Sequence, residues 1–405
     1  MMQSRGDFGV FDADNHYYEA LDAFTRYVPS PWHKRCMQWA EVDGRTRLLV
    51  GGRVNTFIPN PTFDPVAKPG SLLDYFKGRG EKGKDLVALF GELEPIRPEY
   101  RDRDARLVVM DTQGIDACWV FPTLAVGMEE ALKHDPDAVM VAFTGFNKWL
   151  EDDWGFAYRE RIFAAPYLSL VDLDAAIVEL ERVLARGARL LCMRPAPVET
   201  PSGCTSPFVE QFDPFWARVA EAGIAVAFHG GDSGAARMVQ VWEPDANYKA
   251  FLATPLQRVI LGNRAITDTM AAAMCHKVFD RHPRLRFASI ENGASWVRGL
   301  VKKLDKAAAQ SPGWFRERPS DTFRRHVWVS PFWEDNAQTS AQVLGFDRCL
   351  FGSDWPHTEG LPDPRAYEQE ISELGADAVR MIMRDNALAL SKPLTDNALA
   401  LSKPI

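Results

Sequence analysis

Three short pieces of the chain carry residue types that hold metal ions: Asp14-Asn15-His16, Phe228-His229-Gly230-Gly231, and Phe351-Gly352-Ser353-Asp354-Trp355-Pro356-His357. Each follows a β-type run, and strand ends are where open α/β folds and barrels place their chemistry. Residues two apart on a strand share a face, so Asp14 and His16 can grip one ion while Asn15 points away. Asp14, His16, His229 and Asp354 make a carboxylate and imidazole set. It suits one divalent ion, zinc first, with manganese or iron as the alternatives. A lone D-x-H occurs often by chance. Three such pieces carry more weight, because the chain has only eight histidines and these pieces use two of them as ligands.

A divalent ion held this way lowers the pKa of bound water from about 15.7 to about 7 and supplies hydroxide at neutral pH. Asp354 can take that water's proton and pass it to a leaving group. The first expectation is therefore a metal-dependent hydrolase acting on a small aromatic or carboxylic compound. The alternative uses the same ion to chelate a substrate carboxylate while Asp354 protonates carbon and carbon dioxide leaves, a non-oxidative decarboxylase. A third reading, a barrel that binds without catalysis, predicts broken ligands, and all four are intact.

The chain resembles the amidohydrolase-related branch of the amidohydrolase superfamily, which includes the aminocarboxymuconate semialdehyde, isoorotate and hydroxybenzoate decarboxylases. The resemblance rests on residues 11–19 (FDADNHYYE), Met193-Arg194-Pro195, Phe228-His229-Gly230, residues 279–287 (FDRHPRLRF) and residues 352–357 (GSDWPH). It implies a distorted TIM (β/α)8 barrel with the metal at the mouth. Glu291 stands where decarboxylases of the branch usually carry a histidine; it is read as a proton shuttle or as a residue that orients a bound imidazole. Arg194 stands where dinuclear relatives place a bridging lysine, which favours a single metal. Its guanidinium is read as a substrate carboxylate clamp or as a partner of a neighbouring acid. His357 either swings back over the pocket after Pro356 or fastens its loop. Glu19 joins the metal shell or, with more reason, caps the first helix.

Eight β-type runs must position these groups: Phe8 to Asp12, Ala117 to Phe121, Ile162 to Leu168, Ala188 to Met193, Ile224 to Phe228, Leu285 to Ile290, His326 to Ser330 and Arg348 to Phe351. Most are separated by helical segments, and eight alternating units is the barrel count. The clearest helix is Leu173 to Gly187, with Ile177, Leu180, Val183 and Leu184 on one face and a glycine at its end. Another is predicted to start at Asp213-Pro214, with Asp213 as the cap.

Two stretches exceed ordinary barrel connections. Residues 30–103 hold four prolines (Pro59, Pro61, Pro65, Pro69) and a basic run from Lys77 to Lys84, and read as a lid or as a structural excursion beside the barrel. Residues 232–265 hold Trp242, Tyr248 and Phe251 and could border the pocket. Trp296, Phe332 and Trp333 lie near strand ends, suited either to an aromatic pocket or to the core. Near the end, residues 385–393 recur as 396–404, a period too short and too few for a solenoid.

At 405 residues the chain fits one barrel domain spanning 1–405 with insertions. A net charge of -8 speaks against nucleic acid or an anionic membrane as partner and leaves a small-molecule substrate and a homodimer as the expected partners. The residues before Asp7 lack an apolar signal core, and no run reaches roughly 18 uninterrupted apolar residues, so a cytoplasmic location is expected. Six scattered cysteines read as reduced, mostly buried thiols.

Overall fold

The computed structural model describes residues 8–77, 91–200, 203–245, 253–332 and 335–394. Val10–Tyr17, Ile115–Pro122 and Ile162–Ala164 pair in parallel as the first three staves of a barrel. Leu190–Met193, Ala225–His229, Arg286–Ile290 and Val327–Val329 form the next four, also parallel. A single bridge at Tyr167 and Cys192 joins the two groups, with the Leu168 N–H donating to Cys192 O at 3.0 Å. Residues 349–351 are the eighth stave. They close the ring through Leu350 N–H to Val329 O and Ala13 N–H to Phe351 O, each 2.8 Å. The expected distorted (β/α)8 barrel is therefore present, with its thinnest seams at those single bridges.

The first stave runs further than the expected Phe8 to Asp12. Every residue from Val10 to Tyr17 is buried, although Asp-Ala-Asp-Asn-His is a poor β sequence by propensity. Asp12 and Asn15 are matched by partners far along the chain instead. Asp12 accepts from Ser353 N–H at 2.9 Å, Ser353 Oγ at 2.5 Å and Asn15 Nδ2 at 2.9 Å, which locks the first stave to the end of the eighth. Asn15 does point away from the ligands. Its Oδ1 accepts from Arg106, whose other nitrogen donates to His16 O at 2.7 Å and whose guanidinium lies 4.5 Å over the Trp355 ring. Ile162 to Leu168 forms a strand only over Ile162–Ala164, and Pro166, which has no N–H to give a ladder, comes two residues later.

The helix Leu173–Ala185 matches its expectation. Asp172 caps it by accepting from Ala175 N–H at 3.0 Å, Leu180 and Val183 are buried, and Gly187 follows at φ +87°. At Asp213 the expectation needs correction. The helix Asp213–Ala222 is preceded by a 3-10 turn, and the Asp213 carboxylate binds Arg281 Nε at 2.8 Å and His282 Nε2 at 3.0 Å in place of capping. The stronger donors outcompete a backbone N–H.

The long segment after the first stave folds into a three-stranded antiparallel sheet, Met37–Val42, Arg45–Val50 and Arg53–Val54, then a short pair, Val66–Ala67 with Leu93–Glu94. It is tied to the loop after the eighth stave: Gly70 N–H donates to His357 O at 3.1 Å and Leu72 N–H to Thr358 O at 2.7 Å. Beyond Lys77 the basic run lies outside the described residues. In the second insertion Trp242 is exposed and borders no cavity named below, and Tyr248 and Phe251 lie outside the described residues. The first copy of the duplicated tail is used structurally, because Asn386 donates to Phe346 O at 2.8 Å and Cys349 O at 2.7 Å, fixing the eighth stave. The second copy lies outside the described residues. All six cysteines are free, four of them buried, and no described helix is long and apolar enough to cross a membrane.

Candidate metal centre and chamber

The stave ends bring Asp14, His16, His229, Glu291 and Asp354 to one point. His16 Nε2 lies 3.2 Å from Asp14 Oδ1, 3.3 Å from Asp354 Oδ1 and 3.5 Å from Glu291 Oε2. His229 Nε2 lies 3.5 Å from Asp14 Oδ1 and 3.3 Å from Glu291 Oε2. Two glycines make that convergence possible. A Cβ on Gly230 would sit 2.4 Å from Glu291 O, and one on Gly352 would sit 2.4 Å from Asp14 Cβ, so neither position admits a side chain without moving the site.

Asp14 Oδ1, His16 Nε2 and His229 Nε2 are buried without a hydrogen-bond partner among the described residues. Leaving such an atom unmatched costs about 1–3 kcal/mol, and three of them facing one point mark a place for a cation. The His229 ring fits this use, since its Nδ1 lies 2.8 Å from Gly230 O and donates there, which leaves the Nε2 lone pair facing the centre. The field agrees. Burial alone would lower His16, but Asp14 and Glu291 outweigh it and push it up to about 10. Asp14 is held below its usual range by His16 and His229 despite burial.

Two sets bring their ligand atoms within 4.8 Å of one another: Asp14, His16, His229 with Glu291, and His16, Glu291 and Asp354 with His357. Glu291 thus stands among the candidate ligands as well as in the proton-shuttle position read from the sequence. Asp354 is turned toward His357, whose Nδ1 lies 2.6 Å from Asp354 Oδ1. Burial and the nearby acids Glu291, Glu359, Asp14 and Asp12 drive Asp354 well above the usual carboxylate range. Burial and the charges of His16 and His229 keep His357 neutral.

Hydrogen-bond counting gives the same tautomer. Thr123 donates its only hydroxyl proton to Tyr17 O at 2.8 Å, so toward His357 Nε2, at 2.9 Å, it can only accept. The Nε2 therefore carries hydrogen, and with the ring kept neutral Nδ1 accepts, which puts the shared proton on Asp354. His357 also stacks on His16, ring centres 3.9 Å apart, and lines the chamber. It both fastens the loop and covers the pocket.

Arg194, read from the sequence as a carboxylate clamp or a partner of an acid, takes the second role here. Its guanidinium is buried against Glu129 at 3.3 Å and Glu130 at 2.8 Å, and it is not among the residues lining the chamber. Two close acids hold its Nε and Nη1 side, while Nη2 is buried without a partner among the described residues. Glu19 caps backbone, but at a different element from the first helix. Its Oε1 accepts from Thr123, Leu124 and Ala125 N–H at 3.1, 2.8 and 3.1 Å, where the 3-10 turn Ala125–Gly127 begins. Burial still lifts it to about 7.

Beside the candidate metal centre lies a chamber of about 380 Å³, lined by Phe57, Ile58, Phe63, Val66, Phe76 and Leu93 of the long insertion and by Glu291, His357 and Glu359. A second cavity of about 500 Å³ meets the first at Gly230, Gly231 and Glu291 and includes Phe332. Trp296 is core, donating to Gly293 O at 2.9 Å, and Trp333 lies outside the described residues. The sequence reading missed Thr123 and Glu359. Thr123 had no sequence signal, while Glu359, two residues after His357, was legible as part of the same loop.

The amidohydrolase family model spans residues 38–390. No curated protein matches the chain. A solved amidohydrolase from Mycobacterium avium subsp. paratuberculosis K-10 is 45% identical, with a TM-score of 0.90 over 96% of this chain and 100% of that one. The 2,6-dihydroxybenzoate decarboxylase from Rhizobium is 22% identical, with a TM-score of 0.58 over 81% of this chain and 96% of that one. A dihydroxybenzoic acid decarboxylase from Polaromonas sp. JS666, solved with manganese and the inhibitor 2-nitroresorcinol, is 20% identical with a TM-score of 0.54 over 79% and 93%. At those identities the two decarboxylases share the fold. With the family model covering most of the chain, and the stave-end acids and imidazoles converging on one centre, this chain belongs to the amidohydrolase family.

Proposed function

We infer that the chain is a metal-dependent, non-oxidative carboxy-lyase acting on a small acid with an aromatic body. The observation that carries this reading is the relay from Thr123 through His357 to Asp354, which holds one proton at the metal centre beneath an apolar roof. Two structural neighbours named as decarboxylases support it over the hydrolytic reading that the sequence put first.

The orphaned donors of Asp14, His16 and His229 fit a divalent ion, with Glu291 closing the set and Asp354 beside His16. Such an ion, zinc, manganese or iron by donor type, supplies Lewis-acid polarisation of a substrate oxygen. The residues do the rest. Asp354 gives its proton to the ring carbon as the bond from that carbon to the carboxyl group breaks. The bonding electron pair stays on the ring carbon to form the new C–H bond, and carbon dioxide leaves. His357, with its tautomer fixed by Thr123, orients Asp354, which regains a proton from solvent. The apolar roof favours the step because a charged carboxylate becomes a neutral gas where water is kept out.

Hydrolysis stays the second reading on one observation: Glu291 is partly exposed and lies within 3.5 Å of both imidazoles, a suitable position for a base acting on water. Loading the protein with manganese and with zinc and screening hydroxybenzoates, semialdehyde acids, esters and lactones separates the readings. Carbon dioxide release from an acid, with no ester or lactone cleavage, is the expected result. Ester or lactone cleavage with no carbon dioxide from any acid would overturn it, and a fully metallated protein without turnover would point to a binding role.

A further inference from the structure

The chamber wall is chemically one-sided. Tyr18 donates its hydroxyl to Pro356 O at 3.2 Å, Thr123 to Tyr17 O at 2.8 Å, and Thr358 to Glu359 Oε2 at 2.7 Å. His357 is committed at both nitrogens. Above the metal-binding cluster, the buried and half-buried side-chain donors of the wall are thus already spent. No Lys or Arg lines it among the described residues. What remains is acceptor capacity on Glu359, which has no cationic partner among the described residues and receives only the Thr358 hydroxyl from another side chain.

A ligand filling this space must bring its own donor. An unmatched carboxylate facing an apolar body is costly, and a site built to accept a hydrogen bond rejects analogues that cannot give one. We propose that Glu359 is a specificity-determining residue whose carboxyl oxygens accept a hydrogen bond from a hydroxyl or amino group on the ligand's ring, so that the chamber selects ligands with a ring donor over equally sized ligands without one. The aromatic body of the ligand rests on the carboxy-lyase reading, whereas the donor requirement rests on the wall alone.

The test uses unreactive probes on the manganese-loaded full chain: resorcinol, which has donors, and 1,3-dimethoxybenzene, which has the same skeleton without them. Affinities are measured by calorimetry for the wild type, Glu359→Leu and Glu359→Gln, with metal content measured in each. The wild type should bind resorcinol at least tenfold more tightly than the dimethoxy compound. Glu359→Leu should erase that preference, Glu359→Gln should reduce it severalfold, and metal content should stay level. Equal weakening of both probes, or a preference untouched in either variant that folds, overturns the proposal. If the preference behaves as stated but no acid releases carbon dioxide, the carboxy-lyase reading fails and the role of Glu359 stands.

Discussion

Glu291 and Asp354 flank His16 Nε2 at 3.5 and 3.3 Å, and both have left-handed backbone, at φ +53° and +57°. Outside glycine this conformation costs roughly 1–2 kcal/mol per residue, and strain of this kind persists where a site over-determines it. Comparing glycine with alanine at each position isolates the backbone part, because both remove the same charge. Glycine ordinarily destabilises relative to alanine by roughly 0.5–1 kcal/mol. Here the order should reverse: Glu291→Gly and Asp354→Gly should melt above Glu291→Ala and Asp354→Ala in the presence of a chelator. The ordinary order at both sites would refute backbone strain there.

Metal content and turnover should separate between His229 and Asp354. His229→Ala removes a buried donor with no substitute and should lose most of its metal along with activity. Asp354→Asn removes the transferable proton while the other donors remain, so it should keep most of its metal and lose about 10²–10⁴ in kcat, the usual range for a general acid. Elemental analysis beside single-turnover rates checks both. Metal lost in step with activity in Asp354→Asn would make Asp354 an indispensable ligand, as the sequence alone suggested.

The insertion roof should govern substrate use without holding metal. Replacing Pro59 to Lys84 with a short Gly/Ser connection removes Phe63, Val66 and Phe76 from the chamber but no member of the metal cluster. Metal content should stay near normal while kcat/KM falls by at least tenfold, since a roof positions substrate and excludes water. Light scattering on the same sample distinguishes a dimer arm. Loss of mass with intact turnover would assign the segment to assembly.

His326 should make stability depend on pH. It is buried against Phe279, with Nδ1 2.8 Å from Leu285 O, and burial lowers it from about 6.5 to about 4. Below pH 6.5 the unfolded chain binds this proton and the folded chain does not, so stability falls with pH until about pH 4. At pH 5 the loss from this one group is about 2 kcal/mol. His326→Phe should flatten the slope of Tm between pH 6.5 and 5 relative to the wild type. An unchanged slope would show that other groups carry the acid sensitivity.

The barrel and its candidate metal ligands were legible because both depend on local order. The alternation of strands and helices is written in periodicity, and D-x-H, FHGG and GSDWPH place acids and imidazoles at stave ends where parallel sheets put chemistry. The continuation of the first strand through Asp14 to Tyr17 was not legible. Asp12 is held by Ser353 and Asn15 by Arg106, partners far along the chain whose reach no local pattern encodes. Arg194 shows the same limit, since whether a guanidinium meets substrate or acid depends on which helix packs beside it, here the one carrying Glu129 and Glu130. The sequence by itself determined the donor set and the scaffold. Only the tertiary structure decided that Asp354 faces His357, that Glu291 closes the metal group and that the insertion roofs an acceptor-lined chamber, because each depends on the angle at which separate stave ends converge.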